Sequence, residues 1–341
     1  MTTPPPDAPP DHGRAALFRS VTFREHDTGS HPENAGRLVA IDEALLRLDL
    51  LGGRPEMPFT AASDDALARV HDPRYITGVR EFAANGGGWL DADTAVGPNS
   101  VEIAALAAGA GIAAVDAALD DRARRSFVLP RPPGHHATPA RGMGFCIFNT
   151  VAIAAAHALS RGVERILIVD WDVHHGNGTQ DTFYASDQVL FCSVHQMPLY
   201  PGTGAATERG AGAGTGYTLN VPLAAGAGDA TYAEVFDQMI LPAADAFQPR
   251  IVLISAGFDA HADDPLGGML VTDGGFGDLA RRVVQLATDH AGGRVVAILE
   301  GGYDPPALAA SVVATLAALD ADDASLGGML ESRRRNGDAA R

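Results

Sequence analysis

Short apolar runs alternate with longer helix-like stretches through the second half of the chain. Five runs of four to six residues are rich in Val, Ile, Leu or Phe, and they cover residues 126–129, 165–169, 189–194, 250–254 and 294–299. Runs of this length without polar alternation are typical of buried parallel strands. Helix-like stretches separate them at 149–159, 232–247, 275–291 and 305–319, and the N-terminal half adds 35–48 and 101–119. This alternation predicts an α/β fold in three layers (αβα) with a mostly parallel central sheet.

The composition is that of a globular chain with one large core. The chain has 341 residues, of which 46% are hydrophobic and 20% are charged. Although about 150 residues is a common domain size, α/β folds of this length often form one domain. We expect a single domain over residues 14–330. A proline-rich disordered leader over 1–13 precedes it, and a polar tail over 331–341 follows it.

The charge and cysteine content narrow the functional classes. With 25 Lys and Arg against 42 Asp and Glu, the formal charge is −17, which disfavours a nucleic-acid partner and is compatible with a cationic substrate. Two cysteines, Cys146 and Cys192, make no disulfide framework, and a reducing cytoplasm is the expected location. The longest uncharged apolar run, 103–115, is shorter than the roughly 18–20 residues that cross a bilayer. We therefore expect a cytoplasmic protein without a membrane partner, either monomeric or oligomeric.

Polar segments follow the five predicted strands, and four of these segments contain glycine. Their sequences are RPPGHH (131–136), DWDVHHGNG (170–178), SVH (193–195), SAGFD (255–259) and EGGY (300–303). The carboxyl ends of parallel strands meet at one edge of a sheet, where α/β proteins bind their ligands. Five such segments together predict an active site at that edge.

A metal site is the first chemistry that these segments suggest. Asp172 and His174 are two residues apart in an extended segment, so their side chains point the same way. An isolated pair of this kind is more often a simple hydrogen bond, but Asp259 follows another strand and offers a third ligand. Carboxylate and imidazole donors suit Zn²⁺, and three protein ligands with an open fourth position are typical of a catalytic zinc site.

The adjacent histidines His135 and His136 suggest acid–base chemistry. One ring can accept a proton from an attacking water while the other donates to a leaving group. Asp170 and Asn177 are candidates to orient the two rings, and an aspartate and an asparagine tune them differently. Tyr303 follows two glycines and can polarise a carbonyl, although a lone tyrosine is more often structural.

At these residues the chain resembles a known family. The segments RPPGHHA (131–137), GFCIFN (144–149), DWDVHHGNGTQ (170–180), SAGFD (255–259), DPLG (264–267) and EGGY (300–303) resemble the zinc-dependent histone deacetylases of the arginase–deacetylase superfamily. The resemblance is nearest to class II enzymes and to bacterial histone deacetylase-like amidohydrolases. With HPE (31–33) and Arg37 it extends over roughly residues 20–320. It implies the arginase–deacetylase fold and hydrolysis of the N-acetyl amide of acetyl-lysine-type substrates, in a peptide or a protein.

The resemblance also assigns roles by position. It implies one zinc ion on Asp172, His174 and Asp259. His135 and His136 are then the general base and acid, backed by Asp170 and Asn177, and Tyr303 polarises the acetyl carbonyl. A substrate channel is expected to involve Asp93, Gly144, Phe145, Tyr200 and Leu266, and Tyr200 replaces a phenylalanine that is frequent in the family. A structural potassium ion is expected on Asp170, Asp172, His174, Ser193 and Val194, partly through backbone carbonyls. Arg37 is expected at an internal cavity.

Three alternatives remain beside the acetyl-lysine deacetylase. An acetylpolyamine amidohydrolase is favoured by acidic residues at the channel mouth, and Leu266 supplies no such charge. An arginase-type binuclear ureohydrolase needs an aspartate at position 176, which is Gly176 here. A catalytically inactive acyl-lysine-binding scaffold is expected to lack a ligand, a histidine or the tyrosine, and none is missing. Fe²⁺ or Co²⁺ in place of Zn²⁺ is also compatible with the ligand types.

Overall fold

The computed structural model describes residues 13–55 and 57–321, and its centre is a parallel sheet of seven strands. The strands of the chain are β1 (Ala16–Phe18), β2 (Gly88–Trp89), β3 (Ala95–Val96), β4 (Arg125–Val128), β5 (Ile166–Asp170), β6 (Val189–Gln196), β7 (Thr218–Leu223), β8 (Ile251–Ala256) and β9 (Val295–Leu299). In the main sheet the order is β1-β4-β9-β8-β5-β6-β7, and every neighbouring pair is parallel. The strands β2 and β3 form a separate antiparallel pair.

Helices flank the sheet in two groups. They are α1 (Gly36–Arg47), α2 (Asp64–Leu67), α3 (Pro73–Ala84), α4 (Ser100–Leu119), α5 (Thr150–Ser160), α6 (Asn177–Phe183), α7 (Asp229–Val235), α8 (Leu241–Phe247), α9 (Asp273–His290) and α10 (Pro305–Leu319). The helices α4 and α5 pack together, as do α1, α9 and α10. The predicted three-layer α/β fold is therefore confirmed.

The interior strands form because their residues are apolar on both faces. Every residue of β5, β8 and β9 is buried, as expected for parallel strands covered by helices on each side. All five predicted strands are present within two residues at each end. The two edge strands were not predicted, since β1 has only three residues and β7 is interrupted by Asn220 and Pro222.

The predicted helices are also present, with one irregularity. The stretch predicted at 232–247 consists of α7 and α8 joined by the π-helical turn Phe236–Ile240. The short helices α2 and α6 and the helix α3 were not predicted. The buried apolar side chains of the described residues form one continuous core. Residues 1–12 of the predicted leader, residues 322–330 and the predicted tail at 331–341 lie outside the described residues, so the domain limits stay predictions.

Helix α4 is long and strongly apolar. Its 20 residues are long and apolar enough to cross a membrane, with a mean hydropathy of 1.6, whereas the uncharged run counted in the sequence was shorter. However, 72% of that apolar stretch is buried inside the protein, and α4 packs against α5 and β4. Such burial is typical of a core helix.

Candidate active site

Three side chains predicted as metal ligands converge beyond the ends of β5 and β8. Nδ1 of His174 lies 3.1 Å from Oδ1 of Asp172 and 3.1 Å from Oδ2 of Asp259. Both carboxylates are fully buried. Within residues 13–55 and 57–321 this is the one cluster of three potential metal-binding side chains, and its ligand atoms lie within 4.8 Å of one another.

The electrostatics of this cluster show an excess of negative charge. Burial and the neighbouring Asp172 raise the pKa of Asp259 to about 7. Burial opposes protonation of His174, but its hydrogen bonds to the two carboxylates outweigh burial and raise its pKa to about 10. A cation between the three side chains relieves this repulsion.

Backbone groups and glycines hold the two carboxylates in place. The amide of Gly301 donates to Oδ2 of Asp172 at 2.9 Å, and the amide of Val173 donates to Oδ1 of Asp259 at 2.8 Å. A Cβ atom at Gly257 or Gly301 would overlap a carboxylate oxygen of the cluster. Glycine is therefore required at both positions by close packing.

The two adjacent histidines have different partners, and these are Asp170 and Asn177, the two residues named as candidates from the sequence. Nδ1 of His135 lies 3.0 Å from Oδ2 of Asp170, and Nδ1 of His136 lies 2.8 Å from Oδ1 of Asn177. Burial lowers the pKa of His135, but the carboxylates around it outweigh burial and raise that pKa well above the ordinary value. Burial and the neighbouring imidazoles lower the pKa of His136 well below it. The rings, whose centroids are 4.0 Å apart, thus favour opposite charge states.

Two buried residues that were given no role from the sequence hold the histidine loop. Oε2 of Glu300 accepts hydrogen bonds from the amides of Gly134 at 2.6 Å and His135 at 3.1 Å. The side-chain amide of Asn149 donates to the carbonyl of Ala137 at 3.3 Å, while its oxygen caps α5. Both residues lie in segments recognised in the sequence, EGGY and GFCIFN, but their roles depend on contacts between distant segments.

Tyr303 and Arg37 meet beside the histidines. The guanidinium carbon of Arg37 lies 4.9 Å from the centroid of the Tyr303 ring. Nε of Arg37 also donates to the carbonyl of Gly302 at 2.6 Å. Burial raises the pKa of Tyr303 well above its ordinary value, so its phenol stays protonated and can donate a hydrogen bond. Arg37 is buried and also pairs with Glu33, at 3.1 Å.

A cavity of about 260 Å³ joins these groups. The residues predicted for the channel line this cavity, together with both histidines, His174 and Tyr303. The full lining consists of Asp93, Pro133, His135, His136, Gly144, Phe145, His174, Leu199, Tyr200, Leu266 and Tyr303. The rings of Phe145 and Tyr303 meet edge to face, with centroids 5.8 Å apart, and Tyr200 contacts His136 in the same way at 5.0 Å. All five residues predicted for the channel are thus at the cavity.

The turn between β2 and β3 contributes Asp93 to the cavity lining and supports Phe145 in the cavity wall. Phe145 has a positive φ of 69°, and its amide donates to the hydroxyl of the buried Thr94 at 3.0 Å. Asp91 accepts hydrogen bonds from the amides of Asp93 and Thr94. Burial and the neighbouring Asp91 raise the pKa of Asp93. No role for Asp91 or Thr94 was predicted from the sequence.

The residues predicted for a potassium ion include two members of the cluster, Asp172 and His174, and three residues of β5 and β6. Asp170, the last residue of β5, is the register partner of Ser193 within β6, and Val194 follows directly. Asp170 accepts a hydrogen bond from the amide of Asp172 at 3.1 Å, and the hydroxyl of Ser193 lies 2.9 Å from Nδ1 of His195. The structure brings these residues together, and the potassium assignment stays a prediction.

A buried carboxylate–imidazole cluster, a histidine pair and a phenol around one cavity are typical of a metal-dependent hydrolase. Comparisons with known proteins define the family. Residues 31–319 match the family described as Histone deacetylase domain. The chain belongs to the histone deacetylase family.

Named relatives cover most of the chain. A probable deacetylase of Archaeoglobus fulgidus is 42% identical over 290 residues, covering 84% of this chain and 80% of that protein. The histone deacetylase-like amidohydrolase of Pseudomonas aeruginosa is 45% identical over 277 residues, covering 80% of this chain and 71% of that protein. Polyamine deacetylase HDAC10 of Homo sapiens is 43% identical over 276 residues, covering 77% of this chain and 41% of that protein. The crystal structure of the HDA15 HD domain superposes with a TM-score of 0.86 at 37% identity and covers 90% of each chain.

Proposed function

We propose that this protein is a zinc-dependent deacetylase that hydrolyses the N-acetyl amide of acetyl-lysine-type substrates. The observation that carries the proposal is the single cavity on which the histidine pair, His174 and Tyr303 all open. Amide hydrolysis needs an activated water, a polarised carbonyl and a proton for the departing amine. This cavity brings together groups suited to each task.

The donor set fits zinc. Ligand bonds of about 2.0–2.1 Å in a tetrahedral site place neighbouring donors about 3.3 Å apart. The separations of 3.1 Å from His174 to each carboxylate are close to that value. When bound by Asp172, His174 and Asp259, Zn²⁺ supplies a Lewis acid for carbonyl polarisation and water activation. A potassium ion on Asp170, Asp172, His174, Ser193 and Val194 is part of the same proposal.

The different hydrogen-bond partners of His135 and His136 support different roles for the two rings in proton transfer. Asn177 accepts from Nδ1 of His136 through a neutral amide oxygen, which leaves Nε2 of that ring free to take a proton from water. Asp170 instead offers a carboxylate oxygen 3.0 Å from Nδ1 of His135, which favours the imidazolium form of that ring. His136 is therefore the better proton acceptor and His135 the better carrier of a positive charge, which reverses the order of base and acid that the resemblance implied.

Tyr303 and the cavity walls act on the acyl-lysine chain. The protonated phenol of Tyr303 donates to the carbonyl oxygen as negative charge develops there, an effect that is usually among the largest in catalysis. Phe145, Tyr200 and Leu266 are walls suited to a linear alkyl chain, so bulky branched amides are expected to react poorly.

A second candidate is an acetylpolyamine deacetylase. Leu266 gives no charge at the rim, but Asp93 lines the cavity and Asp91 lies beside it. Carboxylates at the mouth suit a substrate with a second ammonium group. A polyamine deacetylase is also among the relatives.

The other two alternatives lose support. A Cβ atom at Gly176 would overlap Oδ2 of Asp170, so the aspartate of a binuclear arginase-type site does not fit there. The inactive-scaffold hypothesis needs a missing ligand, histidine or tyrosine, and all of these groups are present around the cavity.

The test is acetate release from acetyl-lysine peptides, acetylspermidine and acetylputrescine, each with and without a chelator. We expect chelator-sensitive release from the peptide. Faster release from acetylspermidine favours the second candidate, and no chelator-sensitive release from any substrate refutes both.

A further inference from the structure

One carboxylate links two residues of the cavity lining, Leu266 and Tyr303. Oδ1 of Asp264 accepts a hydrogen bond from the amide of Leu266 at 2.9 Å, and Oδ2 accepts one from the amide of Tyr303 at 2.6 Å. Asp264 is buried. Neither its sequence position nor the resemblance had given it a role.

The hydrogen bond from the amide of Tyr303 to Asp264 helps to fix one peptide unit, the one between Gly302 and Tyr303. The peptide between Gly302 and Tyr303 accepts from Nε of Arg37 at its carbonyl and donates to Asp264 at its amide. Both polar atoms of this unit therefore bind charged side chains, one cationic and one anionic. Hydrogen bonds to charged groups are stronger than neutral ones, so the plane of this peptide is tightly held.

Gly302, the residue before Tyr303, is the reason that this peptide needs to be held in place. Gly302 has a φ of 117°, a conformation that side chains rarely adopt, and glycine is otherwise free to rotate. The peptide after Gly302 carries the Cα atom of Tyr303, so its orientation sets the direction of the phenol. A misplacement of about 1 Å in a catalytic group can cost about 10²-fold in rate.

We propose that Asp264 is a positioning residue that orients Tyr303 for carbonyl polarisation and holds Leu266 at the rim. This inference rests on the proposed deacetylase function. The carboxylate touches neither substrate nor metal ligand in this role and acts through the backbone of its two partners.

The test compares Asp264→Asn with Asp263→Asn. Asp263 is adjacent in the chain, but its side chain is 75% exposed, so it is a matched control outside the cavity. We measure kcat and KM on an acetyl-lysine peptide and on its trifluoroacetyl analogue. The trifluoroacetyl carbonyl is intrinsically electrophilic and depends less on a hydrogen bond from Tyr303.

We expect Asp264→Asn to lower the part of kcat that depends on the hydrogen bond from Tyr303. Asp264→Asn lowers kcat on the acetyl peptide by about 10²-fold, the loss expected for a misplaced catalytic group, with a smaller effect on KM. The loss on the trifluoroacetyl peptide is much smaller. In a Tyr303→Phe background the Asp264→Asn change adds little further loss, because the group it positions is already absent.

Several outcomes overturn the inference. The first is that Asp264→Asn is as active as Asp263→Asn. The second is that Asp264→Asn loses the same factor in kcat on the acetyl and the trifluoroacetyl peptide. The third is that Asp264→Asn lowers kcat in the Tyr303→Phe background by as much as it does in the wild type. Circular dichroism checks folding, and Asp264→Ser, which keeps a hydroxyl acceptor, takes the place of an Asn variant that does not fold. If the wild-type chain releases no acyl group from either peptide, the proposed function fails instead.

Discussion

Glu33 offers the sharpest stability prediction, because it is a buried carboxylate between two buried guanidinium groups. It pairs with Arg131 through two bonds, of 2.5 and 2.8 Å, and with Arg37 at 3.1 Å. The substitution Glu33→Gln keeps the shape and removes the charge. The substitution therefore leaves the buried guanidinium groups of Arg37 and Arg131 without the carboxylate that balances their charge. An unpaired charge in the protein interior lowers stability strongly.

Two lines of reasoning give a similar magnitude. Breaking a buried ion pair from one side typically costs about 3–5 kcal/mol. Burial alone raises the pKa of Glu33, but Arg131, with smaller contributions from His26 and Arg37, outweighs burial and lowers it from 4.5 to about 2. This difference corresponds to about 3 kcal/mol, since each pKa unit is worth about 1.4 kcal/mol. Against a typical stability of about 5–15 kcal/mol, the loss is large.

The pH dependence has a defined sign. Because the folded-state pKa is below the unfolded value, the contribution of Glu33 is fully present above about pH 4.5 and is lost as the pH falls toward 2. The difference in stability between wild type and Glu33→Gln is therefore constant from pH 7 to 5 and narrows below that.

Reversible urea denaturation at pH 7 measures the effect. For a slope of about 3 kcal/mol/M, the midpoint of Glu33→Gln falls by roughly 1 M. The control is Asp72→Asn. The pKa of Asp72 is also lowered to about 2, mainly by its hydrogen bonds to Arg74, but this pair is exposed and screened by water. Asparagine still caps α3, so little change is expected. Equal midpoints for the two variants would refute the reasoning.

Further predictions concern the cavity. Gly144→Ala places a Cβ atom 2.5 Å from Cδ2 of His136 and 2.9 Å from Cε1 of Tyr200, and should lower kcat/KM at least about tenfold. The control is Gly162→Ala, because Gly162 also has a positive φ but has open space around it. This variant should lose about 1 kcal/mol of stability in urea denaturation and keep its activity. His136→Ala and Tyr303→Phe should each lower kcat by about 10²-fold or more in acetate-release assays, and wild-type turnover in both would remove the proposed mechanism. Leu266→Glu should raise the ratio of kcat/KM for acetylspermidine over acetyl-lysine peptide, because it adds a carboxylate at the rim, and an unchanged ratio would contradict the proposed location of Leu266 at the mouth.

The sheet interior was predictable because its chemistry is local. Strands such as β5 and β9 are continuous apolar runs, and polar residues follow them directly, so fold class and catalytic edge could be inferred together. The edge strand β7 was missed because Asn220 and Pro222 interrupt its apolar pattern. The hairpin of β2 and β3 has only two residues in each strand, too few for a periodic signal.

The supporting residues of the site were harder to predict for a different reason. Glu300 holds a loop 165 residues before it in the chain, and Asp264 holds Tyr303 39 residues after it. Such contacts depend on the tertiary fold and leave no spacing pattern. In contrast, Asp172 and His174 are two residues apart, and His135 and His136 are adjacent, so their shared chemistry was visible in the sequence.

Zinc dependence is tested most directly by titrating metal into the demetallated protein and measuring acetate release from an acetyl-lysine peptide. A single zinc site on Asp172, His174 and Asp259 predicts that activity is absent without metal and rises with added Zn²⁺ until one catalytic equivalent per chain is bound. Full activity without metal, or activity that saturates only at two equivalents, would contradict it.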